Sequence, residues 1–183
     1  MFRLTRIWTA ALVTTGVALT ALAAGSAVDA SKSSIVATFK QEGVPVDSPF
    51  KKFSGEISYD PKNVAAATAS IDVDTSSLDI GDEGYNAEVR KKQWFDSATY
   101  PKATFRSTSI KPGAAGHFDA TGTLTFKGKP LTITVPITVS SVAGGTAFDG
   151  TLNLSRKTLG VGDPIWNDIL DDAVKVKFRL VSR

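Results

Sequence analysis

Cysteine is absent from all 183 residues, methionine occurs only as Met1, and histidine only as His117. Without cysteine there is no disulfide and no thiol-linked lipid anchor, so a packed interior must hold the fold. Soft-metal and haem centres draw on Cys, Met and His, so this scarcity argues against redox chemistry at a protein-bound metal, and no cofactor is expected. A nucleophilic triad needs a histidine beside its serine and carboxylate. The one available, His117, opens a strand on its polar face beside Gly116 and is expected to face solvent. An excess of one charge is lacking too. The formal net charge is +3, and no basic cluster is interleaved with aromatics, so nucleic acid is not an expected partner.

The first thirty residues do not read as part of the fold. Arg3 and Arg6 are followed by an uncharged apolar run, Ile7 to Ala24, and then by small residues ending in Val28-Asp29-Ala30. Basic, apolar and small-residue regions in that order make a secretory signal peptide. Cleavage is expected after Ala30, with Ala27 as the alternative. A retained membrane anchor is the competing reading, because the run approaches the length of a span. Its Ala, Thr and Gly content and the processing site that follows favour removal, which leaves no stable membrane insertion. The leader carries a net +1, so residues 31–183 keep +2 and are expected to form one domain.

What the remainder has in quantity is alternation. Phe118, Ala120, Gly122, Leu124 and Phe126 share one strand face, with Asp119, Thr121, Thr123, Thr125 and Lys127 on the other. Leu131, Ile133, Val135, Ile137 and Val139 repeat the pattern after Lys127-Gly128-Lys129-Pro130. A period of two marks half-buried strands, and a glycine between two such runs marks a hairpin. The same pattern recurs over 33–40, 53–59, 66–75, 102–110, 146–155 and 173–182, giving eight strands. Gln41 to Lys52, with its prolines and glycine, is expected to be irregular. Eight two-faced strands form either a sandwich or a barrel, and an eight-stranded barrel can hold one small ligand. Pro136 within a strand marks an edge or bulge, which a homodimer contact would cover.

Ser76 to Pro101 interrupts the strands. Asp82 is placed to cap a short helix, with Glu83 in its first turn and Arg90, Lys91 and Lys92 near its end, an order that suits the helix dipole. Carboxylates cluster at Asp79, Asp82 and Glu83, and again at Asp168, Asp171 and Asp172. Both groups lie in turn-like segments, where solvated surface is the default, and neither has the ligand-rich pattern of a calcium loop. Leu159-Gly160-Val161-Gly162 lacks the strand–helix context of a phosphate loop. Bulky aromatics beside inward Gly and Ala positions suit an apolar tunnel instead. At roughly 0.8 kcal/mol per buried CH₂, a chain of about twenty carbons could gain on the order of 10 kcal/mol after association costs.

Trp94-Phe95-Asp96, followed by Tyr100-Pro101 and by Ala103-Thr104-Phe105-Arg106-Ser107, resembles the signature of the YceI-like family. The likeness continues through Gly122-Thr123-Leu124-Thr125, Lys127-Gly128, Arg156 before Leu159-Gly160-Val161-Gly162, and the closing Asp172-Val174-Val176 strand. The chain departs from that pattern at Lys32-Ser33-Ser34, where many members carry a His. It departs again at Asn86 to Arg90, where many carry Arg-Asp-x-His-Leu. The resemblance implies a bacterial periplasmic protein with an extended, eight-stranded, lipocalin-like antiparallel barrel and a short helical insertion. It further implies that the barrel holds a polyisoprenoid, fatty-acid derivative or similar amphiphile. The Trp166 loop resembles a subgroup found beside membrane b-type cytochromes, which implies a quinone-like ligand and such a cytochrome as partner.

These readings converge on an exported, non-enzymatic carrier of a long apolar chain. Phe53, Ile71, Trp94, Phe105, Phe126, Ile137, Phe148 and Trp166 are the expected ligand-binding residues. The rivals are a hydrolase acting on lipid or sugar through the loop carboxylates, and a stress-related structural domain with a filled core and no ligand.

Overall fold

The computed structural model describes residues 25–114 and 116–183, so the leader-like stretch up to residue 24 lies outside the described residues. Ten antiparallel strands form one sheet: β1 (Ser26–Ala27), β2 (Ser34–Gln41), β3 (Val44–Pro49), β4 (Phe53–Ser58), β5 (Thr68–Asp74), β6 (Lys102–Pro112), β7 (His117–Phe126), β8 (Lys129–Val142), β9 (Gly145–Ser155) and β10 (Ala173–Ser182). Their order is β1-β4-β5-β6-β7-β8-β9-β10-β2-β3, and the sheet curls into an antiparallel barrel. The predicted hairpin is β7–β8. Lys127 and Gly128 both take positive φ, 47° and 71°, the mirror-image turn that suits strand twist, and Phe126 pairs with Lys129 across it.

The fold differs from the eight-stranded expectation at two places. Val44–Pro49, expected to be irregular, is a strand paired with β2 from Val36↔Pro49 to Gln41↔Val44. It lies at the edge of the sheet order, where Pro45 and Pro49 need no second neighbour. Glu42 and Gly43, at φ 49° and 79°, make its turn.

The second difference concerns residues 26–30, which the sequence assigns to the leader. Ser26 pairs with Ile57 and Ala27 with Glu56. The Val28 N–H donates to the Gly55 carbonyl at 2.8 Å, the Asp29 N–H donates to the Val181 carbonyl at 2.8 Å, and Val28 bridges to Ser182. This short segment therefore spans β4 and β10 and draws the sheet round on itself at one end. Strand pairing among the described residues thus includes residues 26–28, ahead of the expected boundary at 31.

Pro136 is an edge position, as its chemistry requires. β8 pairs with β9 only along Ile137–Val142, so the two strands separate at the residue after Pro136. Asp82 caps helix α1 (Glu83–Val89) by accepting from the Tyr85 N–H. A second short helix, α2 (Arg156–Leu159), is capped by Ser155 and ends at Gly160 in the left-handed conformation.

The joining role of residues 26–29 is directly testable. A chain that starts at Ser31 loses several strand hydrogen bonds and the Asp29 cap, each contributing about 1 kcal/mol. Its melting temperature should lie roughly 10 °C below that of a chain starting at Gly25. Equal melting temperatures would remove the joining role.

Candidate functional site

Inward residues of a closed antiparallel sheet face a common interior, and here they do not fill it. A cavity of about 580 Å³ runs through the barrel. From Phe118 to Phe126 its wall follows nine residues of β7, eight rises or about 26 Å along the strand and about 20 Å along the barrel axis at the usual tilt. Its middle is lined by aliphatic side chains such as Ile71, Ile133, Leu152 and Val176.

Three strand glycines make room. A Cβ on Gly122 would lie 2.6 Å from the Phe105 ring, one on Gly150 2.3 Å from the Phe178 ring, and one on Gly55 2.5 Å from Ile71 Cδ1. Each large neighbour lies over a glycine on the adjoining strand, so its bulk sits at sheet level and the lumen stays open.

The two ends differ. At one end Tyr59 packs edge-on against Phe118 (centroids 6.2 Å) and Phe148 (5.5 Å), beside the strand ends that Ser26–Asp29 draws together. At the other end the wall includes Gln41, Asp82, Tyr85, Glu88, Arg156 and Asp171. The polar residues thus gather at one mouth, framed by the β2–β3 turn, α1 and the 160–171 loop. Aromatic pairs brace this mouth too: Phe95 with Phe126 at 5.1 Å and Trp94 with Trp166 at 6.3 Å.

The frame is tied by hydrogen bonds. Arg156 is buried and donates to the carbonyls of Asp171 (3.0 Å), Val161 (3.3 Å) and Leu170 (2.8 Å) and to Asn167 Oδ1 (2.9 Å). A buried guanidinium satisfied in this way fixes the whole loop around itself. Lys127 in the β7–β8 turn donates to the carbonyls of Lys92 (3.1 Å) and Gly160 (2.8 Å), linking three loops.

Three carboxyls of the frame sit below their usual range. Asp172 accepts from the Lys157 N–H and the Ser155 hydroxyl. Asp79 accepts from the Gly81 N–H and the Asn86 amide and pairs with Lys51. Glu88 is held down by Lys91, against a smaller desolvation effect, and also accepts from the Trp94 indole N–H at 3.3 Å.

Of the expected ligand-binding residues, Ile71, Trp94, Phe105, Phe126, Ile137, Phe148 and Trp166 line this cavity. Phe53 does not. It shares the inward face with Ile57, but as the first residue of β4 it packs half-buried on the margin of the core. Sequence reasoning left out Phe50, which lies beyond a strand it did not see, and Phe178, whose alternation with Val176 and Leu180 was visible. His117 is exposed, with Nδ1 3.1 Å from Thr138 Oγ1.

With the geometry in place, known proteins give it a context. The YceI-like domain profile matches residues 27–182, and the chain belongs to that family. A UPF0312 protein of Vibrio cholerae (strain M66-2) is 36% identical over 118 residues, which cover 61% of this chain and 62% of that protein. Protein YceI of Escherichia coli O157:H7 is 32% identical over 117 residues, 64% of this chain and 51% of its own length. Among solved structures, BcnA of Burkholderia cenocepacia is 43% identical with a TM-score of 0.82, covering 85% of this chain and 99% of that one. A polyisoprenoid-binding domain from Saccharophagus degradans, implicated in plant cell wall breakdown, shares the fold at 20% identity and a TM-score of 0.70. That match covers 87% of this chain and 99% of the domain.

The depressed carboxyls set a pH dependence. Their folded-state values lie below the unfolded ones, so their stabilisation is complete above about pH 5 and is lost as pH falls through the folded values. Three of the five carboxyls held low among the described residues, Asp79, Glu88 and Asp172, serve the mouth, while Asp72 lies on the wall and Asp29 on the joining segment. Fluorescence of Trp94 and Trp166 should therefore change on acidification below about pH 4 before the strand signal in circular dichroism does. Simultaneous change of both signals would contradict this.

Proposed function

We propose that the chain is an exported carrier that holds the tail of a polyisoprenoid, quinone-like or other long-chain amphiphile in its barrel, with the head group at the polar mouth. The observation that carries this reading is the continuous apolar cavity of about 580 Å³, within the 300–1,000 Å³ usual for ligand pockets. Polarity confined to one end suits an amphiphile entering tail first. Membership of a family that includes a polyisoprenoid-binding domain supports the same class of ligand.

The rival hydrolase reading finds less support. Asp82 caps α1, Asp172 caps the start of α2, and Asp79 organises the turn before α1. These three carboxylates are engaged as caps and turn acceptors, whereas acid–base work needs a pair of groups free to exchange protons with a substrate. Turnover is not part of the proposed role. Export rests on the leader-like Arg3 to Ala24 stretch. The pairing of Ser26–Asp29 within the sheet supports a processing site ahead of Ser26, and the periplasm is the proposed destination.

Ile137→Trp separates a carrier from a filled core. Ile137 lines the cavity, and in a carrier the indole occupies the space of the tail. Affinity for N-phenyl-1-naphthylamine should fall at least tenfold while stability falls by less than about 1 kcal/mol. In a filled core the added volume costs about 1–3 kcal/mol or more, and the wild-type protein binds no dye. Dye titration with thermal melts of both proteins distinguishes the outcomes.

A further inference from the structure

Among the described residues, the large apolar side chains that stand exposed are Val44 (63%), Tyr85 (54%) and Ile165 (75%). They come from three separate elements, and all three stand at the same mouth. Val44 shares the face of Val46, which lines the cavity, but lies beyond it at the tip of the β2–β3 turn. Tyr85 lines the cavity from α1, and Ile165 adjoins Trp166, which lines it from the 160–171 loop. The elements are in contact: the Glu42 N–H donates to the Ile169 carbonyl at 2.7 Å, and Trp94 joins Trp166 to Glu88 of α1. The apolar lining is thus continued outward onto the rim of its own opening.

The rim is acidic as well. Within three residues on either side of Val44, Tyr85 and Ile165 there is no Lys or Arg, but there are seven carboxylates; Glu83 and Glu88 pair with Arg90 and Lys91, which leaves Glu42, Asp47, Asp82, Asp163 and Asp168 to give the rim its negative charge. Polybasic segments are what an anionic bilayer attracts, and this rim is the reverse. Zwitterionic phospholipids present ammonium groups outermost, complementary to a ring of carboxylates, with apolar chains beneath.

We propose that the mouth docks on a zwitterionic phospholipid surface, with Val44, Tyr85 and Ile165 inserting between head groups and the surrounding carboxylates facing the ammonium groups. Docked so, the cavity opens toward the bilayer, and a tail passes between the two without crossing water. The proposal rests on the carrier reading for its purpose, but docking is measured separately.

The test is flotation of the exported, purified protein with phosphatidylethanolamine/phosphatidylcholine vesicles at low salt, with N-phenyl-1-naphthylamine binding measured in parallel. The wild-type protein should float. The V44S/I165S variant changes neither a cavity-lining nor a buried residue, and should retain dye affinity within twofold while its bound fraction falls at least fivefold. If the double variant loses dye binding, I165S alone, at the most exposed of the three positions, provides the comparison. Replacing half the lipid with phosphatidylglycerol should weaken flotation, and E42Q/D163N should restore it.

Unchanged flotation of V44S/I165S, or stronger flotation with phosphatidylglycerol, would overturn the proposal. So would retention only by vesicles carrying membrane proteins, which would make the partner a protein. Dye binding without flotation sinks docking and leaves the carrier reading intact. Flotation without dye binding sinks the carrier reading and leaves docking intact.

Discussion

Phe105 lies over Gly122 and Phe178 over Gly150, so closely that even a methyl group on either glycine would come within 2.6 Å and 2.3 Å of the ring. Rings laid at the level of the sheet cover it without reaching the barrel axis. The interior then stays lined but unfilled, at about 580 Å³. Close packing is the rule in protein interiors, and a wall built to avoid it forgoes dispersion contacts that a ligand tail can restore. Stability must come from the wall itself. Its longest antiparallel pairings are β6–β7, β7–β8 and β9–β10.

The two ends divide the work. Tyr59, Phe118 and Phe148 pack across the end where Ser26–Asp29 joins β4 to β10. The other end is assembled from three connections that would be independent loops without Arg156, Lys127 and Glu88. Arg156 holds the 160–171 loop through its carbonyls, Lys127 ties the β7–β8 turn to two neighbours, and Glu88 orients Trp94. Because the ties through Lys127 and Glu88 are polar and partly exposed, the mouth can loosen around the Arg156-held loop while the barrel remains folded. That order of stabilities suits the loading and unloading that the proposed carrier role requires.

Much of this was legible in the residues. Alternation put Ile71, Phe105, Ile137 and Phe148 on the inward face, and the Lys127-Gly128 turn was readable because positive φ has a chemical signature. Asp82 could be identified as a cap from its place before the Tyr85–Val89 stripe. The β3 strand was hidden because two prolines usually forbid a ladder, and only its edge position permits them. Phe53 kept the right parity but stood at a strand end, a distinction that depends on curvature, which periodicity does not encode. The joining segment was hidden most deeply. Small residues that read as a cleavage region are also those that fit between two strands, and only the register of Ser26 with Ile57 separates the meanings.

The central claim is that the unfilled interior is occupied in the cell by a long apolar chain. The most direct measurement is native mass spectrometry of the protein purified from its own compartment, followed by organic extraction of whatever accompanies it. The account predicts one isoprenoid, quinone or fatty-acid derivative per chain, released on unfolding. A bare protein that also fails to take up such lipids when they are offered would contradict it.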